Sequence, residues 1–398
     1  MYKIADNIIS SLGFTTEENY NAVKQGISGI KYYDTGTFGL PEAFMAALID
    51  KERLNAEFQK ISQKKDYTCL EKAVILSVYS ANKEVQIDLS NEKTIFILST
   101  TKGNVELLDG LEVEKELSQQ IFLWHTAKLL TDFFENPNTP IVVSNACISG
   151  AAAQLIAMRE LQSGKYNYAV VVGVDFLSKF VISGFQSFKA LSPELCRPFD
   201  KNRCGLNLGE AAATMIYSRH CGLYPQSHER QEVPAFSGMT LVSGAVRNDA
   251  THISAPSRIG EGSFRALKYV LQNIDIKNIA FINAHGTATP YNDAMEMNAI
   301  VRAGLQNIPV NALKSYFGHT LGAAGVVETI ISMRALSEGI VLKTLGFEAS
   351  ETLTIDEEQF TLNVCRDNMK TDKNCFIKMM SGFGGVNAAL LFATNYTN

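Results

Sequence analysis

Residues 141–161 read IVVSNACISGAAAQLIAMREL, and residues 309–336 read PVNALKSYFGHTLGAAGVVETIISMRAL. Each stretch passes from an apolar run through one reactive side chain, Cys147 or His319, into a glycine–alanine segment and then a helical pattern ending in MREL or MRAL. The short apolar run reads as a buried strand and the longer-period pattern as a helix. Two such units mark a duplicated chain. The step from Gly150 to Met158 is three residues shorter than that from Gly322 to Met333, so the second helix is expected to be about one turn longer.

Working outward, strand-like runs recur at TIFILST, YAVVVGVDFL, IAFINA and CFIKMM, alternating with helical patterns such as ELSQQIFLWHTAKLLTDFF and FRALKYVLQNI. Such alternation predicts an α/β protein with a buried, mostly parallel sheet. The segment CGLYPQSHERQEVPAFSG combines Gly, Pro and charge without either periodicity. It divides the chain near residue 230, into an N-terminal half (1–230) and a C-terminal half (231–398).

Cys147 stands where a strand gives way to a helix, a place suited to a nucleophile. Ser149, Gly150 and Ala151 after it are small enough to leave room for a substrate. The unpaired N–H groups of the following helix favour negative charge, so the thiolate is expected near neutral pH. His285 opens HGTATPYND after the run IAFINA, and His319 precedes a second glycine–alanine segment. A site shared by these three residues has to be assembled by the fold.

The chain of 398 residues is 46% hydrophobic, enough for a large core. No apolar run approaches a membrane span, and MYKIADNIISSLG lacks a signal-peptide layout, so a cytoplasmic location is expected. A formal charge of −5 argues against general nucleic-acid binding. The seven cysteines form no C-x-x-C pair, which argues against both a disulfide framework and a zinc site built from Cys196, Cys204, Cys221 and His220. No metal is expected.

The segments around Cys147, His285 and His319, together with RPFDKNRCGLNLGEAA and SGFGGVNAALLF, resemble the β-ketoacyl-acyl-carrier-protein synthases. The resemblance runs from ISSLGFTTEENYNAVKQGISGI near the start to the terminal glycine motif. It implies a thiolase-like fold, two related α/β halves in a five-layer αβαβα sandwich. It also implies decarboxylative condensation, with the acyl primer on Cys147 and a malonyl-derived enolate stabilised by His285 and His319. By the same resemblance Lys314 tunes the histidine site, Glu328 supports it, and Thr287 and Thr289 hold a pantetheine arm. The backbone of the glycine loop helps form an oxyanion hole, with Phe383 as the gate. The chain would need no cofactor of its own, because its substrates ride on the phosphopantetheine of an acyl carrier protein. An identical or related synthase-like subunit is the expected dimer partner. Lys64, Lys65, Lys201 and Arg203 are candidate cations for an acidic carrier.

Two departures from the family pattern bear on substrate. Ser381 stands where many relatives carry a further aromatic residue, and Cys204 where an acidic one is frequent. The altered glycine loop, with the STTKGNVELL segment and the short, divergent frame, inclines the reading toward a specialised aryl-polyene, flexirubin-like or other polyketide-type pathway over housekeeping fatty-acid elongation. The competing readings are a chain-length-factor-like partner subunit, which usually lacks the nucleophile, and a thiolase, which needs a second catalytic cysteine absent from SGFGG.

Overall fold

The computed structural model describes residues 1–64, 66–109, 118–220, 238–272, 274–355 and 357–394. The boundary near residue 230, Cys221 and Lys65 lie outside the described residues.

Two five-stranded sheets of the same design make up the framework. The first contains β1 (Tyr2–Ser10), β2 (Thr94–Ser99), β3 (Ile141–Val143), β4 (Tyr168–Asp175) and β5 (Ala211–Ser218), in the order β3-β2-β4-β5-β1. The second contains β6 (Met239–Asn248), β7 (Ile279–Asn283), β8 (Val310–Asn311), β9 (Cys375–Gly382) and β10 (Val386–Thr394), in the order β8-β7-β9-β10-β6. A bridge between Tyr2 and Thr240 links them edge to edge.

Both sheets are mixed, which corrects the expectation of a mostly parallel one. In the first, β3, β2 and β4 run parallel while β5 and β1 alternate antiparallel. In the second, β8, β7 and β9 run parallel while β10 and β6 alternate. The reason is visible in the β9–β10 turn. A parallel return needs a crossover of a dozen or more residues, whereas Phe383, Gly384 and Gly385 leave room only for a hairpin. Gly384 and Gly385 take φ of 86° and 71°, the left-handed conformation that glycine adopts without strain.

Helices complete five layers. α1 (Cys69–Val85) covers the outer face of the first sheet beside α2 (Leu123–Phe133), and α4 (Lys179–Ser187) lies over the mouth of the site described below. Between the sheets lie α3 (Ser149–Gln162) and α8 (Ala324–Ser337), in contact with each other and with strands of both sheets. α5 (Glu261–Val270) and α6 (Pro290–Arg302) cover the outer face of the second sheet, and the short α7 (Lys314–Phe317) precedes His319. Three apolar cores fill the spaces between the layers, one under each outer layer and one, around α3 and α8, shared by the two central spaces. α1 begins with a reciprocal cap between Thr68 and Glu71, satisfying donors that a helix start leaves open.

The central helices are equal, at 14 residues each, with Met158 and Met333 at matching positions. The extra turn expected of the second is a separate 3₁₀ turn, Leu321–Ala323. The small residues also have a different purpose from the one expected. A Cβ on Gly150 would lie 2.9 Å from the Gly322 carbonyl oxygen and the Val326 nitrogen, and one on Gly325 would lie 2.5 Å from the Ala151 nitrogen. Gly150 and Ala151 are fully buried. They bring the two helices into backbone contact and leave no space for substrate.

Among the described residues, no helix is long and apolar enough to cross a membrane.

Candidate active site

Cys147 lies in the turn between β3 and α3, beside Ala146, which takes a left-handed φ of 47°. For an alanine that conformation costs about 1–2 kcal/mol, so something must hold it. Ser149 does so. Its Oγ accepts from the Asn145 N–H at 2.8 Å and donates to the Ala146 carbonyl at 2.6 Å. Cys147 is 8% exposed.

His285 follows β7 in a loop clamped from both sides of its backbone. The N–H groups of His285 and Gly286 donate to Glu296 at 2.8 and 2.7 Å, and those of Thr287 and Ala288 donate to Asp293 at 2.9 and 3.1 Å. Asp293 and Glu296 stand three apart near the start of α6, on one face, so both carboxylates reach back to the preceding loop. On the carbonyl side, Lys314 Nζ donates to the His285 oxygen at 2.7 Å, and Lys378 Nζ donates to Asn283 and Ala284 at 3.5 and 3.3 Å.

His319 is fixed by the GLNLGEAA segment. Its N–H donates to the Asn207 carbonyl at 2.7 Å, and its carbonyl accepts from Gly209 at 3.0 Å. A Cβ on Gly209 would lie 1.9 Å from the Phe317 oxygen, so only glycine permits this contact. Its Nδ1 accepts from the Leu321 N–H at 3.3 Å, which leaves the proton on Nε2, 3.0 Å from Cys147 Sγ. The two imidazoles meet edge to face at 5.1 Å, and one donor atom from each of Cys147, His285 and His319 falls within a 4.8 Å span. The fold thus brings together the three residues the sequence singled out.

Lys314 and Glu328 join them from beneath. Neither is a surface group. Lys314 is fully buried and pairs with Glu328 at 2.7 Å, while Glu328 also pairs with the buried Lys378. The other carboxylate at the centre, Asp175, accepts from Thr100, Thr101, Lys102 and the Gly322 N–H, tying the first half to the loop that follows His319.

The electrostatics keep the reactive groups neutral at rest. Burial pushes both imidazoles well below the ordinary histidine range, and the Lys314 ammonium adds to the effect. Burial also pushes the Cys147 thiol up to about 11, against the pull of Lys314 and Lys102. This runs against the expectation of a thiolate near neutral pH: the thiol lies ahead of α3, enclosed by protein, and desolvation outweighs the pull of the nearby ammonium groups. Burial opposes ionisation of Glu328, but Lys314 and Lys378 outweigh it and hold the carboxyl below its usual range. Burial raises Glu296 to about 7, with Asp293 adding to it.

The three residues line a cavity of about 550 Å³ together with Thr287, Thr289, Ser381 and Phe383. Thr289 occupies the cap position of α6 without making a side-chain cap bond, and its hydroxyl lies 2.8 Å from that of Thr287. Phe383 is 42% exposed and packs against Phe185 and Phe188 at 6.1 and 5.6 Å, two aromatic residues of the α4 region that the sequence reading missed. Gly382 brings the loop backbone against Cys147, where a Cβ would lie 3.2 Å from the Cys147 nitrogen. Ser381 is buried 3.5 Å from the Ser263 hydroxyl, whereas Met379 and Met380 are buried in different cores and do not line the cavity.

Of the candidate carrier-facing cations, Lys64 and Lys201 are exposed. Arg203 is not available: it is buried, pairs with Glu351 at 2.6 Å and donates to the carbonyls of Asp200 and Pro290. Its position in the chain beside Lys201 hid the fact that its side chain turns inward. Cys196 is buried near Ser315, and Cys204 is exposed at the cavity. Cys375 starts β9 within the outer core, remote from the glycine turn that a thiolase-type second cysteine would occupy.

Asp293, Glu296 and Lys378 are the functional neighbours that sequence reasoning missed. Each left a signal. The carboxylates are spaced for one helix face directly after HGTATP, and Lys378 interrupts the apolar strand run CFIKMM.

A layered, duplicated α/β fold with a buried Cys-His-His cluster defines a thiolase-like condensing enzyme. Residues 15–220 match the N-terminal domain of beta-ketoacyl synthase and residues 239–348 match its C-terminal domain, so the chain belongs to the beta-ketoacyl synthase family. It is 26% identical to 3-oxoacyl-(acyl-carrier-protein) synthase 2 of Vibrio cholerae, the alignment covering 97% of this chain and 96% of that one. Identity with the Vibrio harveyi synthase of the same name is 32%, over 63% of this chain and 61% of that protein's length. Among solved structures, the ishigamide ketosynthase/chain length factor superposes with a TM-score of 0.85 at 24% identity, covering 100% of this chain and 99% of that one. The ketosynthase ApeO in complex with its chain length factor ApeC, from Xenorhabdus doucetiae, superposes with a TM-score of 0.81 at 22% identity, covering 99% and 97%.

Proposed function

We propose that the protein catalyses decarboxylative Claisen condensation between a malonyl-carrier-protein extender and an acyl primer held as a thioester on Cys147. The carrying observation is the pair of imidazoles, both held neutral, that share one cavity with a buried thiol. A neutral imidazole can donate a hydrogen bond to a developing oxyanion, and two of them suit an enolate.

The primer's acyl group passes from pantetheine sulfur to Cys147 Sγ, and the thiol proton leaves with the released pantetheine thiol. The malonyl thioester then loses its carboxylate as carbon dioxide. The electron pair of the broken carbon–carbon bond becomes an enolate whose oxygen His285 and His319 stabilise. The enolate carbon attacks the Cys147 thioester, the carbon–sulfur bond breaks, and the sulfur regains a proton. The product is a β-ketoacyl chain on the carrier. The backbone of the glycine loop helps form the oxyanion hole for this second step, supported by its close approach to Cys147 at Gly382. Holding both reactants in one cavity makes bond formation effectively unimolecular.

Thr287 and Thr289 hold the pantetheine arm, Lys314 and Glu328 set the histidine loop, Phe383 gates the acyl pocket, and Ser381 widens it. The nucleophile comes from the half ending near residue 230 and both histidines from the half that follows, so neither is active alone. The setting is cytoplasmic, and the partners are an acyl carrier protein and an identical or related synthase-like subunit. The pairing of ApeO with the chain length factor ApeC, and of the ishigamide ketosynthase with its chain length factor, supports the latter. The retained Cys147 argues against a silent chain-length factor, and the cysteine-free glycine turn against a thiolase. Ser381 favours a polyene or polyketide-type acyl chain.

The test is to supply acyl-primed and malonyl-loaded carrier protein and follow carbon dioxide release and product mass. Condensation dependent on both carriers supports the reading. Acetoacetyl-type cleavage by free thiol would transfer the protein to the thiolase alternative, and carrier binding that leaves no acyl adduct on Cys147 even with a second subunit present would transfer it to the chain-length-factor alternative.

A further inference from the structure

Lys378 is a fully buried lysine that interrupts the apolar run CFIKMM of its strand. Strand alternation sends Ile377 and Met379 to the outer core and Phe376, Lys378 and Met380 to the central layer, where Glu328 of α8 meets the ammonium. One carboxylate therefore serves two buried lysines, and the two lysines together hold the consecutive carbonyls of Asn283, Ala284 and His285. A buried ion pair is a poor source of stability, and an apolar residue of similar size often substitutes without loss. Space filling therefore does not account for this lysine.

Resting on the condensation reading above, we propose that Lys378 is a second positioning residue of the site: with Lys314 and through the shared Glu328, it orders the backbone leading into His285 and places a second buried positive charge beside that imidazole. Lys314 and Lys378 both act on the His285 imidazole as positive charges. That field opposes imidazolium formation and favours an enolate beside the imidazole. The charged groups facing Lys378 are Glu328 from α8, Lys314 from α7 and Glu296 from α6. Those facing His285 are Lys314, His319 and Lys378. Burial brings Lys378 down to about 8, against the pull of Glu328, so its charge is present at neutral pH and fades in mildly alkaline solution. Loss of that charge weakens the support for the enolate, and condensation should decline above about pH 8.

The experiment compares wild type with Lys378→Met and Lys378→Arg, reading the His285 ring by nitrogen NMR of histidine-labelled protein and condensation against pH. In wild type, His285 should remain neutral to the lowest pH at which the protein stays folded. In Lys378→Met its titration should move up by about one unit, the scale of a single nearby charge. Acylation of Cys147 should persist, while condensation falls about tenfold or more. Lys378→Arg should restore the neutral ring and abolish the alkaline decline, because a guanidinium keeps its proton there. An unshifted His285 titration with wild-type condensation in Lys378→Met overturns the proposal. If Lys378→Met does not fold, an alkaline decline that persists in Lys378→Arg overturns it instead. A wild type that takes an acyl group yet never condenses with malonyl carrier refutes the condensation reading, and the ring titration still decides the role of Lys378.

Discussion

The Leu321 N–H donates to Nδ1 of His319 at 3.3 Å and so directs the Nε2 proton of that imidazole to Cys147 Sγ, 3.0 Å away. A backbone group two residues along thus selects the tautomer of a side chain in the buried cluster. His319 is set as a hydrogen-bond donor to sulfur or to an oxyanion, in a site where Cys147 remains a thiol at rest.

Cys147 should consequently alkylate slowly at neutral pH and faster as pH rises. Its pKa is raised to about 11, so the thiolate fraction, and with it the rate, should climb about tenfold per unit between about pH 7 and about pH 9. Intact-mass measurement of iodoacetamide adducts across that range checks it. An activated acyl carrier should likewise leave one adduct, absent from Cys147→Ala. A rate already at its plateau at neutral pH would mean a resting thiolate.

The two histidines should separate acyl loading from condensation. His285→Ala and His319→Ala should still acylate Cys147 measurably while losing about 10²–10³-fold in malonyl-dependent turnover, the scale of a lost oxyanion donor. Single-turnover loading and steady-state condensation, measured side by side, give the two quantities.

Gly150→Ala and Gly325→Ala test the contact between the central helices. The added methyl groups would meet backbone atoms at 2.9 and 2.5 Å, which cannot rotate away. Each substitution should destabilise by about 1–3 kcal/mol through overpacking, read as a lower midpoint in urea. Gly184→Ala, which meets nothing within 4 Å, is the control and should leave the midpoint unchanged or slightly raised.

Ser381→Phe should narrow the acyl entrance. Met379 and Met380 are buried away from the cavity, so the volume beside Phe383 is not already filled by them. Turnover of stiff polyene or aryl primers should fall more than turnover of short saturated ones. Specificity constants for matched primers in both proteins decide the point, and an unchanged ratio removes the argument for a specialised chain.

The duplication, the αβ layering and the Cys147, His285 and His319 set were legible in the sequence because each unit is local: an apolar run, a reactive residue, small residues and a helix in immediate succession. Local pattern also misled where long-range packing decides. The glycines after Cys147 look like room for substrate until α8 is brought against α3, and the extra turn before Met333 looks like a longer helix until Leu321–Ala323 separates as a 3₁₀ turn. Arg203 reads as a surface cation beside Lys201 until Glu351, far along the chain, pairs with it. The charge state of Cys147 depends on how deeply the folded chain encloses it, which no neighbour in sequence reports. The sequence by itself determined the reactive residues and the order of the elements that carry them. Tertiary structure alone decided that Glu328 would join Lys314 to Lys378, and that Asp293 and Glu296 would hold four successive N–H groups of the His285 loop, because desolvation and long-range ion pairing exist only once the layers close.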